Sequence, residues 1–549
     1  MAKIKPKRPV APSVNKKTNY IKIVFLSVIV FLMSCIFISQ KKDLFIDELF
    51  TYGLANNSFQ LDIDNYTPYT GEEVLLRYAS VATNDRFNIN NVYFNQTMDT
   101  HPPLYYLLVN FISSLNPGKF SIWFGLIINV IFSVILFWEI KYIINKLIKN
   151  EVASILITLL AFMNHGFINE IVFTRMYVML SCASLGFAIL IINKINEEPD
   201  FSDKIDKKYL ILFFIICVLG VLIQYHFIIF AGIFSLILAM HCIKNKKFKL
   251  LISSAIAGLL AILASYLLFP AMLDHMFGSS TSIHSLSRDI GSSTAIERGI
   301  QFLQSIHQAF FGMALIPYAI LLILLIVLLI KFYKTKNENL LDIYDNNKLY
   351  FISLFVAIVY YLLVTVSTNF VFSRYMYNIY PFILISVIAP IYLILKKIKP
   401  GITFLSIVIM FSLSLTSILS SPPSFLYTNN GPVDEYLYNN RDVKTVLLYY
   451  ENFRNDEASR DLNNTWKLPV NLYLFRNMEN MIYANVADSN FVNDIRKLTG
   501  EDDDLFLVTF SGLDDDSAIN QIMSASNTTS SQKILMTGYM HMYRLINGN

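Results

Sequence analysis

The stretch Asp99-Thr-His-Pro-Pro-Leu-Tyr-Tyr-Leu-Leu-Val-Asn-Phe-Ile-Ser-Ser-Leu115 decides how the rest of the chain is threaded. From Pro102 it is apolar enough to be taken for a membrane crossing, yet its roughly 13 residues rise only about 20 Å as a helix, short of the ~30 Å of hydrocarbon in a bilayer. It is therefore expected to lie along the outer surface of the membrane as a juxtamembrane helix. Charge supports this reading. With the segment left out of the bilayer, the Lys-rich loops at 141–149, 194–208, 244–249, 331–348 and 396–399 all fall on the side of the N-terminus, whose basic residues Lys3, Lys5, Lys7, Arg8, Lys16 and Lys17 mark the cytoplasm.

Working outward, hydrophobic residues make up 54% of the 549 residues and charged ones 15%, with a mean hydropathy of +0.48, too apolar for a soluble chain of this length. The net charge of +4 describes no nucleic-acid face, because the basic residues are bunched in short loops. Cys35, Cys182, Cys217 and Cys242 all lie in apolar runs, which excludes an extracellular disulfide framework and a Cys metal site.

Spans are expected near 21–39, 121–144, 249–269, 310–332, 349–366, 375–395 and 401–419. Residues 152–193 read as two more, with Asn164-His-Gly-Phe-Ile-Asn-Glu170 and Arg175 as a short loop between them, since these groups are costly in lipid. The run Tyr209 to Ile243 divides into two at Gln224-Tyr-His226. The expected fold is a polytopic α-helical membrane protein of about 11 spans. Its N-terminus (1–20) is cytoplasmic, its membrane module covers 21–419, its first outer loop covers 40–120, and its C-terminal part, 420–549, is extracytoplasmic. In that tail Val443–Tyr450, Leu505–Phe510 and Ile534–Leu545 read as strands and Ser489–Leu498 as a helix, a small α/β domain. The clusters Asp502–Asp504 and Asp514–Asp516 lack an ordered calcium loop and read as solvated.

With this topology Asp47, Glu48, Asp99, His101, Arg175, Tyr177, Tyr225, His226, Arg374 and Tyr375 all map to outer span ends or outer loops, and that convergence marks a candidate site. Asp47 and Glu48, being adjacent, point about 100° apart on a helix, so one is free for proton transfer while the other orients a partner or caps a helix. A solvated acidic pair is the plainer alternative. Arg175 and Arg374 sit on the side that positive residues avoid, each close to an aromatic (Tyr177, Tyr375), as suits a cation holding a lipid phosphate; snorkelling anchors are the alternative. His101, stiffened by Pro102-Pro103, either binds phosphate or caps the juxtamembrane helix. His226 beside Tyr225 reads as a packed polar pair behind the site. No Gly-rich phosphate loop, His-Glu-x-x-His or Ser elbow occurs, so ATP-driven transport, zinc proteolysis and triad hydrolysis have no support.

Taken in order, Asp47-Glu48 after the first span, Asp99-Thr-His-Pro-Pro-Leu-Tyr-Tyr106, Glu170-Ile-Val-Phe-Thr-Arg-Met-Tyr177, Gln224-Tyr-His-Phe227, and Arg374-Tyr375 running on to Pro381 resemble bacterial GT-C membrane glycosyltransferases, glycosyltransferase family 39 and its kin. These kin include protein O-mannosyltransferases and lipid A aminoarabinose transferases, and the resemblance covers roughly residues 20 to 400. It implies inverting transfer of a sugar from a polyprenyl-phosphate carrier to a glycan, lipid or protein acceptor on the outer face. It places the catalytic carboxylate at Asp47 with Glu48 beside it, and His101, Arg175 and Arg374 near the donor phosphate. His101 stands where the aminoarabinose group has Lys, so the mannosyltransferase or a generic hexosyltransferase pattern fits better. No cofactor is required on this reading, although a divalent ion (Mg or Mn) at Asp47 and Asp99 would suit hard oxygen ligands. The alternatives are a transporter or export component for a lipid-linked or polymeric saccharide, and a membrane scaffold whose tail binds glycan.

Overall fold

The computed structural model describes residues 16–57, 61–196, 206–277, 293–311, 348–368, 371–386, 402–420, 422–451, 465–499, 504–510, 513–526 and 528–547. The expected span at 310–332, the end of the one at 375–395, the basic N-terminus and the Lys-rich loops at 331–348 and 396–399 lie largely or wholly outside these residues.

Helix α1 (Lys16–Ser39) leads into a loop built as four short helices, α2 (Ile46–Asn56), α3 (Gly71–Ala79), α4 (Ile89–Met98) and α5 (Leu104–Ser114). Then follow α6 (Trp123–Ile148), α7 (Glu151–Phe162), α8 (His165–Val172), α9 (Tyr177–Ile195), α10 (Lys207–Ile223), α11 (His226–Lys244), α12 (Phe248–Leu268) and α13 (Met272–Phe277), and the helices Ser293–Phe311, Lys348–Ser367 and Ile402–Ser420. Among the described residues six helices are long and apolar enough to cross a membrane: α1, α6, α9, α11, α12 and Lys348–Ser367. The bent pair α7 and α8 makes a seventh if counted as one span. This is a membrane protein. Its helices approach closely where small side chains meet, as where the Ser34 and Ser133 hydroxyls lie 3.1 Å apart between α1 and α6.

The segment 164–170 is not the loop expected between two spans. It forms α8, bent 65° from α7 and buried along its whole length. Asn164 caps it by accepting from the Gly166 N–H (3.1 Å), so polar residues costly in lipid are met by protein instead.

Loop helix α2 is gripped by asparagines. Asn95 donates to the Leu54 carbonyl (2.9 Å), Asn110 to Ala55 (2.8 Å), and Asn56 itself to Ala79 (2.7 Å), which satisfies carbonyls that the end of a helix leaves open. Helix α3 starts at a reciprocal cap: the Glu73 N–H donates to Thr70 Oγ1 (3.2 Å) and the Thr70 N–H to Glu73 Oε2 (2.8 Å). Helix α5 occupies the segment read as juxtamembrane, and the Pro102-Pro103 pair starts it.

A six-stranded sheet closes the chain, in the order β1-β3-β2-β4-β6-β5, with β1 at Pro68–Tyr69, β2 at Lys444–Tyr449, β3 at Met481–Asn485, β4 at Leu505–Phe510, β5 at Ser530–Met536 and β6 at Met540–Ile546. The parallel centre β3-β2-β4 is buried on both faces. Val446, Leu448, Ile482 and Leu507 pack with Ile495 and Ile522 of the crossover helices Phe491–Thr499 and Asp515–Ser526, while Leu447, Tyr449, Tyr483 and Val508 join the core shared with the bundle. The stretch 534–545 is two strands, not one, turning at Thr537-Gly538. Strand β1 belongs to the first loop, so the sheet is not made by the tail alone.

Candidate functional site

Helix α2 presents Asp47 and Glu48 in opposite roles. Glu48 is fully buried, and its oxygens accept from the Phe45 N–H (2.9 Å), Lys41 Nζ (2.9 Å) and the Thr174 N–H (2.7 Å). It reaches back to the start of its own helix and ties that turn to the residue before Arg175. With its oxygens engaged by these donors, Glu48 is the member of the pair that caps a helix and orients a partner. Asp47 faces outward, its Oδ2 in an ion pair with Arg374 Nη2 at 2.9 Å.

The Asp99-Thr-His-Pro-Pro turn brings a second acid to the same place. Asp99 ends α4, and its Oδ2 lies 2.8 Å from His101 Nδ1. Burial pushes the Asp99 carboxyl up, but the hydrogen bond from His101 and the Arg175 charge outweigh it and hold the group below the ordinary carboxylate range, so it is ionised. Across the ring, Arg175 Nη2 lies 3.0 Å from His101 Nε2. A guanidinium can only donate, so Nε2 accepts and the imidazole is neutral with its proton on Nδ1, shared with Asp99.

Arg175 is 4% exposed. Its Nη1 donates to the Tyr106 hydroxyl (2.8 Å), Thr51 Oγ1 (3.1 Å) and the Asp47 carbonyl (3.4 Å), and its buried Nε has no partner. Its hydrogen-bond partners are all neutral, so its charge is met by no carboxylate in direct contact among the described residues. Arg374 stacks over Phe372, its guanidinium carbon 3.7 Å from the ring centroid, and also faces Phe45 and Tyr375.

Asp47, Asp99, His101 and Arg175 line one cavity of about 310 Å³, together with Phe50, Leu54 and Leu61 of the first loop and Thr465, Trp466 and Pro469 from the tail. Of the other expected residues, Tyr375 stacks on His226 (5.2 Å between ring centroids). Tyr177 is buried at the start of α9 within reach of the Arg374 and Arg175 charges. Tyr225 stands further off, its hydroxyl 3.0 Å from His275 Nδ1 on α13. The sequence reading did not single out Lys41, Thr51, Tyr106, His275 or the tail residues. Tyr106 stood inside the quoted motif and Lys41 two residues past the first expected span, whereas nothing in the sequence marks Trp466.

A divalent ion shared by Asp47 and Asp99 does not fit this donor set, because each carboxylate already has its own partner, Arg374 for one and His101 for the other. Among the described residues no group of three or more His, Cys, Asp or Glu is placed to hold a metal.

No family model matches the chain, and no curated protein matches it. Among solved structures, ArnT from Cupriavidus metallidurans bound to undecaprenyl phosphate superposes with a TM-score of 0.50 at 9% identity, covering 96% of this chain and 98% of that one. The apo state of the same protein gives 0.48 at 8% identity over the same shares. The likeness spans nearly the whole of both chains, and the GT-C-like fold expected from the sequence is the fold the chain has.

Proposed function

We propose that this chain is an inverting glycosyltransferase that moves a sugar from a polyprenyl phosphate to a hydroxyl acceptor on the outer face of the membrane. The observation that carries the reading is Arg175: a buried guanidinium, held by neutral partners, in the wall of a cavity that also holds a carboxylate. A buried guanidinium with no carboxylate in direct contact keeps donor capacity for an anionic ligand. The ArnT structure of the same fold holds a polyprenyl phosphate, which supports the same ligand class here.

In this reading the donor phosphate lies between Arg175 and Arg374. Asp47 takes the proton of the acceptor hydroxyl, the oxygen attacks the anomeric carbon, and the bond from that carbon to the phosphate oxygen breaks with its electron pair on the phosphate. One displacement inverts the anomeric centre. The leaving group departs as an anionic lipid phosphate, so fixed cations and correct placement supply the stabilisation. His101, anchored by Asp99, holds Arg175 in position and is a positioning residue.

The test uses membranes containing the full chain and a radiolabelled polyprenyl-phosphate hexose. Asp47→Asn and Asp47→Ala are expected to slow release of the lipid phosphate by about 10²- to 10⁴-fold, the range for loss of a general base. Wild-type rates in both variants would remove the enzymatic reading and leave saccharide export, for which the buried Glu170 of α8 would be the group to pursue.

A further inference from the structure

The cavity is chemically divided. One part is charged, with Asp47, Asp99, His101 and Arg175; the rest is apolar, with Phe50, Leu54 and Leu61 from the first loop and Trp466 and Pro469 from the tail. At about 310 Å³ it lies at the small end of ligand sites and has room for one sugar phosphate rather than an oligosaccharide. A phosphate on Arg175 puts the first ring of its sugar beside Asp47, so the ring's other contacts fall on the apolar part.

Trp466 is suited to that contact. The residue keeps 44% exposure although it lines the cavity. Its ring packs edge-on against Tyr539 of the same domain (6.1 Å between centroids, planes 82° apart), and Lys467 Nζ lies 5.2 Å from its centroid. Tyr539 is itself close enough to Asp47 and Arg374 to feel both charges. Among the described residues nothing accepts a hydrogen bond from the indole N–H. A pyranose offers a face of C–H groups and a rim of hydroxyls, which match a face and the N–H of an indole.

We propose that Trp466 is the platform on which the transferred sugar stacks, so that the C-terminal domain selects the donor sugar while the membrane half holds the phosphate. This rests on the glycosyl-transfer reading and adds to it the division of labour within one cavity.

The experiment measures binding to the full chain in nanodiscs, by a method independent of turnover, for undecaprenyl phosphate and for undecaprenyl phosphate carrying glucose, galactose or mannose. Trp466→Ala is expected to weaken the best-bound sugar lipid roughly five- to tenfold, the worth of one aromatic contact, to flatten discrimination among the three sugars, and to leave bare undecaprenyl phosphate within about twofold. Trp466→Phe is expected to retain most of the affinity. Arg175→Gln is expected to weaken all four lipids alike. An equal loss for bare and sugar-bearing lipid in Trp466→Ala would make the residue a general support for the cavity and overturn the proposal. So would unchanged sugar binding, with the phosphate reading left standing. Failure of the wild type to bind any of the four lipids would remove both.

Discussion

Lys41 and Glu48 form a buried ion pair, and with the Phe45 and Thr174 N–H groups it accounts for the different fates of the two carboxylates of the Asp47-Glu48 dipeptide. The spacing predicts that one acid faces the site and the other does not; the donors at Phe45, Lys41 and Thr174 settle which, and of these only the Phe45 contact, three residues back, is a local capping pattern. Removing one partner strands the other in a dry interior, so Glu48→Gln and Lys41→Met are each expected to cost about 3 to 5 kcal/mol of stability, read as a large fall in melting temperature in detergent. The double variant Lys41→Met/Glu48→Gln, which carries no charge and keeps an amide oxygen for the Phe45 or Thr174 N–H, is expected to recover much of that loss, which separates the uncompensated charge from damage to packing. Asp43, beside this pair, accepts from Asn430 Nδ2 at 2.8 Å. Burial pushes its carboxyl up from the ordinary 3.8 to about 6, against the pull of the Leu44 N–H, Asn430 and Lys41. A carboxyl that holds its proton more tightly folded than unfolded makes the folded state bind more protons between those two values. Stability from this group therefore falls as pH rises from about 4 to about 6. Melting curves across pH 4 to 7 are expected to show that decline in the wild type and a smaller one in Asp43→Asn.

Strand β1 shows how an element can be invisible locally and still fix the architecture. Pro68-Tyr69 is two residues long and pairs antiparallel with β3, Pro68 against Ile482 and Tyr69 against Met481, while the Tyr66 hydroxyl donates to Asp488 (2.8 Å). Antiparallel partners bring Cα atoms within disulfide range. Tyr69→Cys/Met481→Cys, in a chain with the four native cysteines replaced by Ser, is expected to cross-link under mild oxidation, while Arg77→Cys/Met481→Cys is not; mobility on non-reducing gels reports it. The spans carried by α1, α6, α9, α11, α12 and Lys348–Ser367 were legible because lipid demands long apolar runs, and β2 and β4 because each carries a short run of apolar residues. Strand β3, five residues with no alternation, looks like any short buried run. Strand β5 begins Ser-Ser-Gln-Lys and is mostly exposed, so hydropathy joined its apolar end to β6 across a turn that Thr537-Gly538 could have revealed. Helix α8 was read as a loop because Asn164, His165, Asn169 and Glu170 look out of place in a span. The partners of His165 and Asn169, the Pro422 carbonyl (3.0 Å from Nε2) and the Phe425 N–H (3.0 Å), lie more than two hundred residues further on.

At the scale of the molecule, two halves meet over one cavity: loop helices from residues 46–114 on one side and tail residues 465–469 on the other. The gathering of Asp47, Asp99, His101 and Arg175 at one end of the bundle was legible from charge and depth, whereas the tail's part in it was not, because it depends on the sheet borrowing a strand from the first loop. The same dependence bears on a truncation at residue 430. Such a chain would lose Trp466 and Pro469 and also strip β1 of its partner, so loss of activity there would not distinguish recognition from collapse of the loop. Sidedness is the sharper question, because a polyprenyl phosphate used outside the cytoplasm requires the cavity to face outward. The short helix α5 and the basic turn between α11 and α12 predict that arrangement. In the Ser-replaced background, Lys533→Cys on exposed β5 is expected to react with a membrane-impermeant maleimide in intact cells, and Lys246→Cys in the α11–α12 turn only after permeabilisation. The reverse pattern would turn the cavity to the cytoplasm and exclude transfer on the outer face. Labelling of Lys533→Cys in intact cells, slowed by the Tyr69-Met481 cross-link no more than twofold, would place the sheet outside in its assembled form.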